Sequence, residues 1–308
     1  MAAMSDNMRG ACLMMGSMLA FTLNDTCIKA IGGDLPLFQI LLMRGLLSTT
    51  LIFLLAWRLD ALRLDLPRRD LGLMALRCAG EIGAAYFFLT ALFNMPLANV
   101  TALLQLLPLT VTLAGALVFR EPLGWRRLTA IGVGFLGMLL IVRPGTEGFT
   151  VHSVYALISV GFVTLRDLAT RRMSRAVPSM TVTLSAALSV TLFAAFATLT
   201  EEWRMPDATQ AGLMVLSGLF VFFGYLLSVA VMRVGELSFV TPFRYTGLVW
   251  ALLLGLVVFG DWPVPLTLLG AAVIAGTGIF TLYREGRVKK APRSGEYIAD
   301  PVAVDREF

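Results

Sequence analysis

Apolar runs of helix length, separated by short polar or proline-containing breaks, recur ten times along the chain: 9–31, 36–57, 70–93, 96–118, 125–142, 152–171, 179–199, 210–232, 237–259 and 264–283. Each is near the roughly 20 residues that a helix needs to cross the hydrocarbon core of a bilayer. No run alternates apolar with polar residues, which excludes a transmembrane barrel. The pattern therefore predicts an all-α integral membrane protein with ten transmembrane helices, each satisfying its own backbone hydrogen bonds where no water is present. The first run is long, carries Asp25 and Lys29 and lacks a clear small-residue cleavage site, so it predicts an uncleaved span rather than a signal peptide. Residues 284–308 turn polar and basic and predict a disordered cytoplasmic tail.

The runs are internally repetitive. At an offset of 142, Ser17 falls on Ser159, Leu23 on Leu165, Asp25 on Asp167, Lys29 on Arg171 and Pro36 on Pro178. At an offset of 140, Leu97 falls on Leu237, Thr101 on Thr241, Gly115 on Gly255, Phe119 on Phe259 and Glu121 on Asp261. The change of offset is a difference in loop length. In both halves an acidic residue with proline beside it or two residues on (Glu121-Pro122, Asp261-Trp262-Pro263) separates the fourth span from the fifth. These matches divide the chain into repeats at 9–143 and 151–283, followed by the tail. Five spans per repeat is an odd number, so the second repeat is inverted relative to the first.

Charge sets the orientation. Eighteen Lys and Arg residues fall on the side of the N-terminus, against Arg143 and Arg204 in the opposite loops and Lys29 at a helix end. The asymmetry predicts cytoplasmic N- and C-termini. The chain is 57% hydrophobic and only 15% charged, with a mean hydropathy of +0.80, which places it in a lipid bilayer rather than among soluble domains. The net charge of +5 is distributed between apolar segments, so no nucleic-acid partner is expected. Cys12, Cys27 and Cys78 have no paired spacing, and no disulfide or metal site is expected. His152, the single histidine, lies at a helix edge and reads as a structural or solvated residue.

Chemistry resides in the charges inside the spans. A charged side chain near the bilayer centre costs at least roughly 2.5–3.5 kcal/mol on insertion scales. Glu81 falls at the middle of the third span, with Arg44 and Arg244 two to four residues from the middles of the second and ninth. Arg77, Asp25, Arg166 and Asp167 lie about a turn off-centre. These groups either face a water-filled cavity between the halves or pair with one another, as Glu81 with Arg44 or Arg244. Asp25–Lys29 and Asp167–Arg171 have i,i+4 spacing with the acid first, the favourable order. They read either as intrahelical pairs that let the base snorkel or, because the halves are inverted, as gates on opposite sides. Asp25, Glu81 and Asp167 are the candidate proton carriers.

Pro108, at the centre of the fourth span, removes a backbone donor and should free the Leu104 carbonyl. With Gln105 it predicts a kink exposing polar groups at mid-membrane. Pro242 predicts a second kink beside Arg244 and Tyr245. Tyr86, Tyr245 and Trp250 are aromatic candidates for packing on a substrate, with helix or lipid packing the blander alternative. Glycines of the fifth span (Gly132, Gly134, Gly137) and the tenth (Gly270, Gly276, Gly278) predict close-packing faces, with a homodimer as one use.

The two five-helix repeats, the Phe-Arg-Glu-Pro-Leu turn at 119–123 with its echo at 259–263, and the Gly-rich fifth and tenth spans resemble the drug/metabolite transporter superfamily in its EamA family, over about residues 9–283. Asn24-Asp25 with Lys29, Arg44, Arg77, Asp167 followed by basic residues, and Pro242-Phe243-Arg244-Tyr245 are similar to the S-adenosylmethionine uptake carriers of that family; Glu81 departs from their pattern. The resemblance implies a secondary transporter of a small organic metabolite in a bacterial inner membrane. The family also includes exporters of amines and drugs and carriers of riboflavin. A membrane-embedded enzyme would need a nucleophile, metal cluster or phosphate loop, and no such motif is present. A receptor or purely structural role has no use for an inverted repeat. No cofactor or nucleotide motif is found, so a gradient or exchange would drive the cycle. Counting charges, Glu81 can neutralise one neighbour, which leaves Arg44 and Arg244 for a ligand. Arginine's planar fork suits a carboxylate, so the expected substrate is carboxylate-bearing and zwitterionic.

Overall fold

In the computed structural model, the structure describes residues 6–62, 65–120, 124–143, 150–174, 176–231, 234 and 237–290. The elements are helical throughout the described residues: α1 (Asp6–Ile31), α2 (Leu37–Arg58), α3 (Arg68–Asn94), α4 (Leu97–Leu104), α5 (Leu107–Phe119), α6 (Trp125–Val142), α7 (Val151–Arg172), α8 (Ser179–Ala197), α9 (Ala208–Val231), α10 (Leu237–Val240), a 3-10 segment (Thr241–Tyr245), α11 (Thr246–Phe259) and α12 (Pro265–Lys290). Among the described residues nine segments are long and apolar enough to cross a membrane, and α12 carries a shorter apolar stretch, Pro265–Thr281. These correspond to the ten expected spans. The last helix runs to Lys290, past the expected boundary at 283; residues 291–308 of the expected tail, and Glu121-Pro122 of the fourth turn, lie outside the described residues.

Local sequence sets the breaks. Pro36, Pro67, Pro96 and Pro178 stand at the N-caps of α2, α3, α4 and α8, where a missing N–H costs nothing. The fourth and ninth spans end in the same way. Arg120 after α5 (φ 54°) and Gly260 after α11 (φ 68°) are both left-handed, and they are repeat mates at the offset of 140.

Packing is mostly between the repeats. The dominant contacts are α3 with α7, α1 with α9, α6 with α12 and α2 with α8. Exchanging the halves turns α1–α9 into α7–α3 and leaves α6–α12 and α2–α8 paired, so the contact pattern obeys a pseudo-two-fold exchange. Thr49 and Thr191, repeat mates at an offset of 142, hydrogen-bond to each other at 3.0 Å. A residue that meets its own mate lies near the axis. The loops are tied in pairs. At one end Gln39 and the Arg204 backbone exchange hydrogen bonds of 2.6 and 3.1 Å. At the other, Asp70 accepts from the Ser174 amide at 3.2 Å and Thr181 donates to the Ala61 carbonyl at 3.2 Å.

Outward faces carry exposed Trp57, Leu117, Leu136, Phe196 and Val257, a continuous apolar exterior that suits acyl chains and not water. The close-packing glycines work inside the chain. A Cβ on Gly137 would stand 2.9 Å from the Gly270 carbonyl, so α6 and α12 meet backbone to backbone. Gly132 and Gly276 face open space. Gly134, Gly137, Gly270 and Gly278 are therefore intramolecular contacts rather than a surface for a second copy.

Candidate functional site

Charges gather where α3, α7 and α9 meet. Gly80 on α3 admits α7: a Cβ there would lie 3.0 Å from the Phe162 carbonyl and 3.1 Å from the Arg166 Cβ. That approach sets Arg166 beside Glu81. The Glu81 carboxylate accepts from Arg77 Nη1 at 3.3 Å, from Arg166 Nη1 at 3.3–3.4 Å and from the Tyr225 hydroxyl at 3.2 Å. Arg166 Nε donates to Asp167 at 2.9 Å. The side chains of Arg77 and Glu81 are only 11% and 12% exposed, so these ion pairs hold charges that would otherwise be stranded.

A second group joins α1, α2 and α9. Asn24 Oδ1 accepts from Arg44 Nη1 at 2.9 Å and from Ser217 Oγ at 2.7 Å. With its oxygen doubly occupied, the amide nitrogen is turned to Asp25, donating to Oδ1 at 2.9 Å. Asp25, Tyr225 and Glu81 are the electrostatic neighbours of Arg44, which links the two groups into one buried network. It balances three carboxylates, Asp25, Glu81 and Asp167, with three guanidiniums, Arg44, Arg77 and Arg166.

Two expectations from spacing are corrected here. Among the described residues no ion pair joins Asp25 to Lys29. Lys29 Nζ instead donates to the Leu92 and Met95 carbonyls at 3.0 and 2.7 Å, the orphan acceptors at the end of α3, where the helix dipole also favours a cation. Asp167 takes Arg166 as its hydrogen-bonded partner, and the Arg171 guanidinium lies 5.4 Å from the Phe119 ring centroid. Glu81, for its part, is held by Arg77, Arg166 and Tyr225 rather than by Arg44 or Arg244. Arg44 is thus engaged by Asn24 and is not a spare cation.

Both broken spans are present. α4 stops at Leu104, Gln105 and Leu106 form a turn, and Pro108 sits in the first turn of α5. The Gln105 amide N–H is shared between Thr101 and Ala102 carbonyls at 3.2 Å each. In the ninth span the break is the 3-10 segment Thr241–Tyr245 holding Pro242. Gln105 and Tyr245 are repeat mates at 140, so the interruptions coincide although the prolines do not. Gln105 is buried and packs near Gly247 and Met18, between α11 and α1. Arg244 is half-buried, and among the described residues its guanidinium has no ion-pair or hydrogen-bond partner.

The aromatic candidates disperse. Tyr245 is buried with its hydroxyl against Gly278 of α12 and without a hydrogen bond; Trp250 Nε1 and Arg77 Nε are likewise buried donors without a partner. Tyr86 stacks on Phe38, centroids 6.0 Å apart, in an aromatic row that continues through Phe87. It is helix packing rather than part of the charged network. Ser217 and Tyr225, which the sequence reading passed over, are essential members of that network. The available signal was modest: both are polar residues well inside α9, a largely apolar helix that also holds Ser228.

A buried charge network between inverted repeats, flanked by two interrupted helices, defines a membrane transporter. A model of the EamA-like transporter family matches residues 8–143 and 152–284, and the chain belongs to that family. It is similar to a protein described as an S-adenosylmethionine uptake transporter from Rickettsia prowazekii, with 21% identity covering 92% of this chain and 95% of that one. A riboflavin transporter of Vibrio cholerae is 25% identical, covering 93% and 97%. The pseudopaline exporter CntI of Pseudomonas aeruginosa is 24% identical, covering 86% and 93%. A solved crystal structure shares the fold, with a TM-score of 0.64 at 20% identity over 90% of this chain and 98% of its own.

Proposed function

We propose that this transporter moves a small carboxylate-bearing, zwitterionic metabolite across a bacterial inner membrane by alternating access, with both termini cytoplasmic. The two units are residues 9–143 and 151–283. Arg244 carries the reading: it lies in the interrupted part of the ninth span and is the in-membrane guanidinium without a protein partner among the described residues. The remaining charges balance one another, so one carboxylate on the substrate completes the set. A planar fork binds that group through two parallel hydrogen bonds. Trp250 Nε1 and Arg77 Nε supply further donors. Glu81 faces three donors that share its oxygens, and an ammonium or sulfonium group can replace part of that company. Asp25 and Asp167, at equivalent places in the repeats, are the coupling candidates. A gradient or exchange drives the cycle.

Thermal shift of the purified protein tests the substrate class. S-adenosylmethionine, and amino acids more broadly, should raise the melting temperature, while decarboxylated S-adenosylmethionine should not, since only a ligand of the folded state stabilises it. A riboflavin-like cargo is the second reading, favoured by the likeness to the Vibrio cholerae riboflavin transporter. Riboflavin has no carboxylate, so stabilisation by it, unaffected by Arg244→Ala, would select that reading.

A further inference from the structure

Two contacts between a cation and an aromatic ring close the bundle at its two ends. At one end Lys29, in the last turn of α1, places Nζ 5.5 Å from the ring centroid of Phe259, the last residue of α11. At the other end Arg171, in the last turn of α7, places its guanidinium carbon 5.4 Å from the ring of Phe119, the last residue of α5; Arg172 adds a second at 4.8 Å. Lys29 and Arg171 are repeat mates at the offset of 142, and Phe259 and Phe119 at the offset of 140. The same contact therefore occurs twice, related by exchange of the halves. Inversion puts the copies at opposite ends of the bundle.

The geometry points to Phe259 and Phe119 as the fixed halves of two latches, one per side, whose alternate release lets the transporter open on one face at a time. The inference rests on the alternating-access reading. Both latches are closed in this structure, as an occluded intermediate needs. The carboxylates that spacing assigned to these bases are occupied elsewhere: Asp25 accepts from Asn24 and Asp167 from Arg166. Asp261, just after α11, is the acidic group whose charge acts on Lys29, so the Phe259 ring works beside that charge rather than in place of it. The attraction is modest at a partly exposed site, and a released Lys or Arg at a helix end is readily rehydrated. Opening on either side then alters the population only a few-fold. The outer latch also involves the carbonyls of Leu92 and Met95, so release of Lys29 uncaps α3 and signals opening to the helix that carries Glu81.

Thiol reactivity reads each side without knowledge of the substrate. Native Cys27, buried one turn before the end of α1, reports one end. Its repeat mate Ala169 is buried in α7, and Ala169→Cys reports the other. Cys12→Ser and Cys78→Ser leave Cys27 as the single thiol, the further change Cys27→Ser leaves the Ala169→Cys thiol alone, and N-ethylmaleimide is the probe in membrane vesicles. Phe259→Leu should speed modification of Cys27 roughly two- to fivefold and slow that of the Ala169→Cys thiol; Phe119→Leu should do the reverse. Phe259→Trp and Phe119→Trp keep a ring and should stay near the parent rates, which a packing role alone would not spare. The latch proposal fails by itself if both thiols react in the parent but the leucine variants shift neither, or shift both in the same sense. It fails together with alternating access if one of the two thiols never reacts in any of the variants.

Discussion

Asn24 shows how much a single neutral side chain can decide. Its oxygen takes Arg44 and Ser217, and its nitrogen is thereby committed to Asp25. Asn24→Asp would set a second carboxylate against Asp25 and leave it no donor, so transport should fall at least tenfold while insertion persists; protein level and flux check the two separately. Glu81 is the more demanding residue structurally, since removing its charge strands buried Arg77 and leaves Arg166 with Asp167 alone. Glu81→Gln should cost about 3 kcal/mol or more and lower the melting temperature in detergent by several degrees. Asp25→Asn loses a single described acceptor and should shift it far less, while impairing transport. Equal melting temperatures for the two would show that Glu81 is not the keystone of the network. Asp167→Asn should likewise impair flux, and wild-type rates in both aspartate variants would leave neither acid a coupling role. At Arg244 no internal partner is lost, so Arg244→Lys should leave stability within ~0.5 kcal/mol and weaken binding at least tenfold, seen by titration calorimetry.

At the scale of elements, two glycine–phenylalanine contacts set how closely the halves approach. A Cβ on Gly83 of α3 would meet the Phe162 ring of α7 at 2.6 Å; one on Gly224 of α9 would meet the Phe21 ring of α1 at 2.8 Å. Both pairs are related by an offset of 141. Gly224→Ala should therefore destabilise by about 1–3 kcal/mol, and Phe21→Leu in the same chain should restore part of it; thermal melts of the single and double variants measure the coupling. The spans, their repeat and their interruptions were legible in the sequence because apolar run length, proline and offset are local quantities. The partners of the charges were not. Spacing of four residues put Lys29 beside Asp25 on paper, but the end of α3 offers unpaired carbonyls from a stretch more than sixty residues away. Tyr225 reaches Glu81 across 144 positions, a distance that no periodicity reports.

For the whole molecule, ten spans place both termini on one side of the membrane. Reporter fusions at the C-terminus should be active only in the cytoplasm; a periplasmic signal would reverse the orientation drawn from the basic residues. On the proposed reading, a carboxylate-bearing solute passes through a pathway that Arg244 completes. Counterflow in proteoliposomes tests it most directly, with labelled S-adenosylmethionine and a panel of amino acids against their decarboxylated counterparts. Saturable flux of a carboxylate-bearing member is expected, absent for its decarboxylated form and lost in Arg244→Ala. Equal flux of the decarboxylated cation, or undiminished flux in Arg244→Ala, would contradict it.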